Sequence, residues 1–169
     1  MNQTDSVFQR AVSKLLAEVF DGPPGEECYI VNPGDPGLHR QLGTISAATA
    51  SRQSITGKPS LAAHVHHLSS GLSVLNRWVS GEENPWASID WNESWRRLTV
   101  TDEEWGILRQ SLRSEADKWR KAVAARTAWD DMSAAAALST IAHTSYHLGA
   151  IRQILAAAIN AAPGQSSDA

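Results

Sequence analysis

The sequence predicts an all-α protein built from four main helices, and three observations support this. Apolar residues recur every three or four positions over four long stretches. No stretch alternates between apolar and polar residues over the length of a strand, and recognisable start signals precede the helical stretches. With 169 residues, 42% of them hydrophobic and 20% charged, the chain fits one folded domain. We expect residues 1–162 to form that domain and residues 163–169 to be a flexible tail.

The first predicted helix covers residues 7–20, whose apolar residues share one face. Residues 22–37 hold four of the seven prolines and four of the 11 glycines, so we expect an irregular connection there. A short helical piece is predicted around residues 38–45. Cys28 is the only cysteine, which excludes an intramolecular disulfide and a multi-cysteine metal site. We interpret it as a packed or surface thiol.

The second helix is predicted to begin near Pro59, because proline suits a first helical turn, and to run to about Val79, with Gly81 as the stop signal. Trp78, near its end, is a candidate for the wall of a ligand pocket, with core packing as the alternative. Residues 82–100 show neither helical nor strand periodicity and are interpreted as a long crossover. This crossover carries three tryptophans whose rings can pack it onto the core, Trp86, Trp91 and Trp95. Trp91 and Trp95 are also candidates for the wall of a pocket.

The third helix has the clearest start, because Thr101 and Glu104 have the spacing of a capping box. Its apolar seam continues to about residue 126. The last helix is predicted to open at Asp130 or Asp131 and to end near residue 161. Because the crossover is long, a four-helix bundle made of these elements need not have simple up-down-up-down topology.

The composition excludes several classes of function. A net charge of −3, a pI near 6.0 and the lack of a Lys/Arg cluster argue against a nucleic-acid partner. No apolar run approaches the roughly 20 residues of a membrane span, and the first ten residues lack the order of a signal peptide. We expect a cytoplasmic protein that binds a small molecule.

Two histidines on the last helix form the sharpest local feature. His143 and His147 are four residues apart, so their imidazoles project from the same helix face. The same stripe continues through Ile151 and Ile154, which predicts that the imidazoles face the core. Buried imidazoles need partners, and a divalent metal is one such partner. A hydrogen-bonded pair of histidines is the alternative.

The second helix supplies candidates for a third ligand. At 100° per residue, His66 is predicted to face solvent, His64 lies within the apolar arc, and His67 lies at its edge. Periodicity slightly favours His64 and does not exclude His67. One of these histidines and the pair on the last helix would make a three-histidine site with an open coordination position, the arrangement of a catalytic metal.

These residues and motifs resemble the DinB-like superfamily, also called DinB/YfiT-like metalloenzymes. The resemblance covers nearly the whole chain and includes the PSLAAHVHHLSSG start of the second helix and the NRWVSGEENP exit from it. Its most specific part is HTSYHLGAIRQIL, a His-x-x-x-His pair followed by Leu-Gly-x-Ile-Arg-Gln.

The resemblance implies a site, a fold and a cofactor. In this superfamily a histidine follows the helix-starting serine by seven residues, and from Ser60 this spacing leads to His67. The resemblance therefore implies His67, His143 and His147 as ligands, with His64 as a fallback ligand or a partner in the outer shell. It also implies a four-helix bundle with a long crossover, a bound zinc or nickel ion, and a homodimer.

The activity that the resemblance implies is that of a divalent-metal-dependent enzyme. Characterised relatives include transferases that use a low-molecular-weight thiol as co-substrate, and others are metal-dependent hydrolases. A metal lowers the pKa of a bound thiol or water, which suits both reactions. No residue is predicted as a general base, so a non-catalytic metal- or ligand-binding bundle remains the alternative.

Overall fold

A computed structural model describes residues 3–53, 58–96 and 99–160. This part of the chain is mostly helical and contains no strand, which confirms the predicted all-α class. Its α-helices are α1 (Gln3–Asp21), α2 (Leu38–Gly43), α3 (Ala47–Ala50), α4 (Leu61–Val79), α5 (Asp102–Ala125) and α6 (Asp131–Asn160). The predicted tail, residues 163–169, lies outside the described residues. None of the described helices combines the length and apolarity needed to cross a bilayer.

The four long helices pack their apolar faces together. Helix α4 contacts α5 and α6, and α1 contacts the same two helices. The core between them is formed by fully buried side chains from each of the four, including Leu16, Leu61, Leu112 and Ile151. This packing brings α4 and α6, which carry five of the six histidines, side by side.

Helix α4 begins at Leu61, two residues after the predicted start near Pro59. Ser60 is the N-cap, and its hydroxyl accepts a hydrogen bond from the backbone N–H of Ala63 at 3.3 Å. Pro59 therefore precedes the cap instead of occupying the first turn. At the other end, Gly81 has a φ of +100°, a left-handed conformation that suits glycine and ends the helix where the sequence predicts.

The crossover between α4 and α5 contains two short 3₁₀ turns, Pro85–Ser88 and Glu93–Trp95, and both pack against α4. Their brevity explains why the sequence shows no periodicity there. The predicted crossover therefore forms a cover along one side of α4. This contact places the aromatic residues of the crossover over the histidines of α4.

The connection between α1 and α2 is irregular, as its proline and glycine content predicts. Buried Glu18 of α1 holds it by accepting hydrogen bonds from the backbone N–H groups of residues 29–31. Arg152 of α6 bonds to the Asp35 carboxylate at 3.2 Å and to the Pro36 carbonyl at 2.8 Å. The loop is thus fastened to the two helices on either side of it.

Candidate metal centre

The structure brings together one histidine of α4 and two of α6. His67, His143 and His147 each offer a ring nitrogen, and these nitrogens all lie within 4.8 Å of one another. His67 and His147 are buried, whereas His143 is exposed. The group is the one that the family resemblance implies. The prediction that both histidines of α6 face the core is correct for His147 only. His143 lies at the edge of the interface between the helices.

A serine of the crossover orients the ring of His67. The Nδ1 atom of His67 lies 2.7 Å from the Ser94 hydroxyl, which itself donates its hydrogen to the Trp91 carbonyl at 2.7 Å. Because a hydroxyl has one hydrogen, Ser94 must accept from the His67 Nδ1–H. The Nε2 atom of His67 then carries a lone pair, which is the state that a metal ligand requires.

His147 connects the other two histidines. Its Nε2 atom lies 2.8 Å from Nε2 of His143, and its Nδ1 atom lies 2.8 Å from Nδ1 of His64. If the Nε2 atoms of His143 and His147 face a metal, the remaining hydrogen of His147 is on Nδ1 and is donated to His64. His64 therefore occupies the position of an outer-shell partner. Periodicity correctly places His64 in the interface, but its ring meets the far nitrogen of His147.

His66 does not face solvent as its position opposite the apolar stripe predicts. Its Nδ1 atom donates to the Ser94 carbonyl at 2.9 Å, and the side chain is half-buried. The difference arises because the crossover covers this face of α4, which helical periodicity alone does not reveal. Two successive histidines thus hold Ser94, one through its hydroxyl and one through its carbonyl.

The imidazoles are held in their neutral form. Burial lowers the pKa of His67 to about 4 and that of His147 to about 3, and repulsion from the neighbouring imidazoles adds to the effect. Burial also lowers the pKa values of His64 and His143. Neutral imidazole is the form that coordinates a divalent metal, so the cluster is competent for ligation at neutral pH.

Aromatic rings pack against two histidines of the cluster. The Trp95 ring stacks on His67 with centroids 4.1 Å apart and an interplanar angle of 18°, and Trp91 lies 5.7 Å from the same histidine. Tyr146 meets His147 edge-on at 5.1 Å. These contacts limit the rotation of the imidazoles and restrict the access of water from the side of the crossover.

A pocket of about 240 Å³ adjoins the exposed histidine, His143. It lies between α4, α6 and the crossover, and Trp86 and Trp91 are among its lining residues. Trp78 is not part of this lining; it packs against Trp86, with ring centroids 5.8 Å apart. Trp91 was a sequence candidate for a pocket wall, whereas Trp86 was expected only to help pack the crossover onto the core.

The donor set fits a divalent metal. Three neutral imidazole nitrogens suit zinc, nickel, copper or iron and leave further coordination positions for other ligands. In the described part of the chain, no cysteine, aspartate or glutamate belongs to the group. Cys28 is a free, half-buried thiol in the loop after α1 and is not one of these ligands.

The fold and the site define an all-α protein with a three-histidine cluster able to hold a metal ion. No known family model matches the chain, and neither a curated protein nor a solved structure is significantly similar to it.

The contact between Ser94 and His67 leads to a prediction about metal affinity. Replacing Ser94 with alanine removes the acceptor that fixes the His67 ring, so we expect the affinity to fall about 10–100-fold while the protein still binds one metal per chain. Competition with a chromophoric chelator measures the change. Ser88→Ala, in the first 3₁₀ turn, is the matched control and should bind as wild type does. Equal affinities of the Ser94 and Ser88 variants would contradict the assigned role of Ser94.

Proposed function

We propose that this chain is a divalent-metal-dependent enzyme of the DinB-like superfamily, with His67, His143 and His147 as the metal ligands. The observation that carries the proposal is the convergence of three ring nitrogens within 4.8 Å, one of them freed for ligation by the hydrogen bond to Ser94. The mutual packing of α1, α4, α5 and α6, with a long crossover before α5, supports a four-helix bundle of the kind this superfamily has.

The arrangement around the cluster suits catalysis by a thiol transferase that uses a low-molecular-weight thiol as co-substrate. A bound zinc or nickel ion supplies a lowered pKa for a coordinated thiol, which makes the thiolate available near neutral pH. The chain contributes an exposed approach at His143, an adjoining pocket for a small-molecule substrate that Trp91 helps to line, and the Trp95 ring stacked on His67. Ser94 and His64 fix the orientation of the ligating rings.

One observation favours an alternative function. Apart from His143, the pocket lining contains no ionisable side chain that can serve as a general acid or base. This favours either a reaction that needs no such group or a non-catalytic metal- or ligand-binding protein. A metal-dependent hydrolase is an alternative only on the family resemblance. The homodimer and the cytoplasmic location stay predictions from the sequence.

Metal loading of the wild-type protein, purified without a histidine tag, tests the proposal. We expect elemental analysis to find close to one zinc or nickel per chain. We also expect the visible spectrum of the cobalt-substituted protein to change when a small thiol is added, because an open position accepts it. An unchanged spectrum would indicate a fourth protein ligand and a structural site. No metal after incubation with zinc and nickel would overturn the metalloenzyme proposal.

A further inference from the structure

The pocket beside His143 has walls of two kinds. Helix α4 and the crossover contribute apolar side chains, and α6 contributes small hydroxyl residues. Two of those hydroxyls already donate within α6, Ser139 at 3.0 Å and Thr140 at 2.7 Å, both to the Ala136 carbonyl. Their hydrogens are therefore not offered to a ligand. Apart from the His143 imidazole and the Thr144 hydroxyl, the α6 wall therefore offers a ligand only the acceptor oxygens of these two hydroxyls.

The pocket lining provides no oppositely charged side chain for a charged ligand. Its members are Leu68, Gly71, Leu72, Leu75, Trp86, Trp91, Ser139, Thr140, His143 and Thr144. None of them is a lysine, arginine, aspartate or glutamate. Moving a charged group from water into such a site without a partner is costly, whereas an apolar group gains from the transfer. The chemistry of the walls thus selects against charged ligands.

Gly71 keeps the pocket open. Glycine is an unfavourable residue in the interior of a helix, and a Cβ atom at this position would meet nothing within 4 Å. Close packing therefore does not require a glycine here. The absence of a side chain at Gly71 instead leaves free volume on the α4 side of the pocket, which any larger residue would occupy.

The volume sets the size of the ligand. An apolar cavity of about 150 Å³ accommodates a benzene molecule, and this pocket measures about 240 Å³. It is smaller than the roughly 300–1,000 Å³ of sites for drug-sized ligands. One ring with a short substituent, or a branched alkyl group of similar size, would fill it.

We propose that this pocket binds the uncharged, apolar body of the substrate, a group of about one substituted aromatic ring, next to the metal ligand His143. The inference rests on the proposed function, because His143 belongs to both the pocket and the metal site. It assigns the pocket to the apolar substrate and not to a charged, highly polar thiol co-substrate, for which the walls provide no oppositely charged side chain.

Binding of three probes that share one ring tests the inference. The probes are 4-fluorobenzyl alcohol, 4-fluorophenylacetate and 4-fluorobenzylammonium, titrated into the metal-free and the zinc-loaded protein and followed by ¹⁹F NMR. We expect saturable binding of the neutral alcohol to both forms. In the metal-free protein we expect binding of each charged probe to be at least tenfold weaker. Equal binding of the three probes to that form would overturn the proposal.

Two glycine variants locate the binding. We expect Gly71→Leu to weaken binding of the alcohol at least tenfold, because the new side chain occupies the pocket. Gly106→Leu is the matched control, since Gly106 lies on α5 away from this pocket and a Cβ there also meets nothing within 4 Å. Leucine favours helix more than glycine does, so neither variant should melt below wild type. Wild-type affinity in Gly71→Leu would overturn the proposal.

The two proposals fail in different ways. Zinc content is measured on the samples used for NMR, so the metal site and the pocket are judged separately. No saturable binding of the alcohol, with one zinc per chain, would overturn the pocket assignment and leave the metalloenzyme proposal standing. Saturable binding that Gly71→Leu weakens, in a protein that takes up no zinc, would support the apolar pocket and overturn the metal function.

Discussion

Replacing His147 with glutamine is expected to remove the metal from the protein. His147 is the central member of the cluster, because its two ring nitrogens lie 2.8 Å from His143 and 2.8 Å from His64. A glutamine amide does not replace the imidazole nitrogen, so one of three ligands is lost. The loss of affinity should exceed the roughly 10–100-fold effect of replacing an outer-shell partner. The ratio of metal to protein after equilibrium dialysis against zinc measures it.

Other histidine variants separate the loss of a ligand from a folding defect. His143→Gln should lose the metal in the same way, and because its side chain is exposed the fold should be unaffected. His39→Leu removes a buried histidine away from the site and should keep one metal per chain. His64→Ala should also keep it, with weaker affinity. Metal lost from His64→Ala and retained by His147→Gln would contradict the assigned ligand set.

The features of the fold that the sequence predicts are those with short-range causes. The capping box of α5 is an example, because the Thr101 hydroxyl accepts from the Glu104 N–H at 3.2 Å and the Glu104 carboxylate accepts from the Thr101 N–H at 2.8 Å. Both contacts join residues three apart, so the spacing alone suffices. The 3₁₀ turns of the crossover are too short to produce a periodic pattern, and their positions depend on packing against α4.

The residues of the candidate site also differ in this respect: some have a short-range sequence signal, and others depend on the packing of distant segments. His143 and His147 are recognisable because i, i+4 spacing places them on one helix face whatever the rest of the fold does. The choice between His64 and His67 depends on the orientation of α4 about its own axis relative to α6. Sequence periodicity fixes that orientation only to within a few tens of degrees, which is too coarse to separate the two residues. Ser94 carries no signal at all, because it is 27 residues from His67 and meets it only through the path of the crossover.

The second large effect is expected from replacing Glu18. It concerns the stability of the fold rather than metal binding. The Glu18 carboxylate is 2% exposed and accepts hydrogen bonds from the backbone N–H groups of Tyr29, Ile30 and Val31 at 2.7–3.0 Å. Glu18→Gln removes the charge that strengthens these bonds and places an amide N–H₂ where an acceptor is needed. We expect a loss of about 2–3 kcal/mol in the free energy of unfolding, seen in calorimetry as a melting temperature lower by roughly 4–12 °C.

Acidification should reduce the difference in melting temperature between wild type and Glu18→Gln. Burial by itself raises the pKa of Glu18, but the hydrogen bonds from Ile30, Val31 and Tyr29 outweigh it and the pKa is lowered overall. A carboxyl group whose pKa is lower in the folded state contributes its stability above its unfolded pKa and loses it as the pH falls. This difference in melting temperature should therefore have its full size at pH 7 and become smaller below about pH 4.5.

Glu26→Gln, an exposed carboxylate in the same loop, is the matched control and should change stability by less than about 0.5 kcal/mol at either pH. Metal content should be unchanged in both variants, because Arg152 still fastens the loop to α6 through Asp35 and Pro36. If Glu18→Gln melts as wild type does, or if the difference in melting temperature persists undiminished at pH 3, the buried carboxylate is not what holds the loop. If the metal is lost at a temperature where the variant is folded, the loop supports the ligands of α6 directly, and Arg152 becomes the residue to test next.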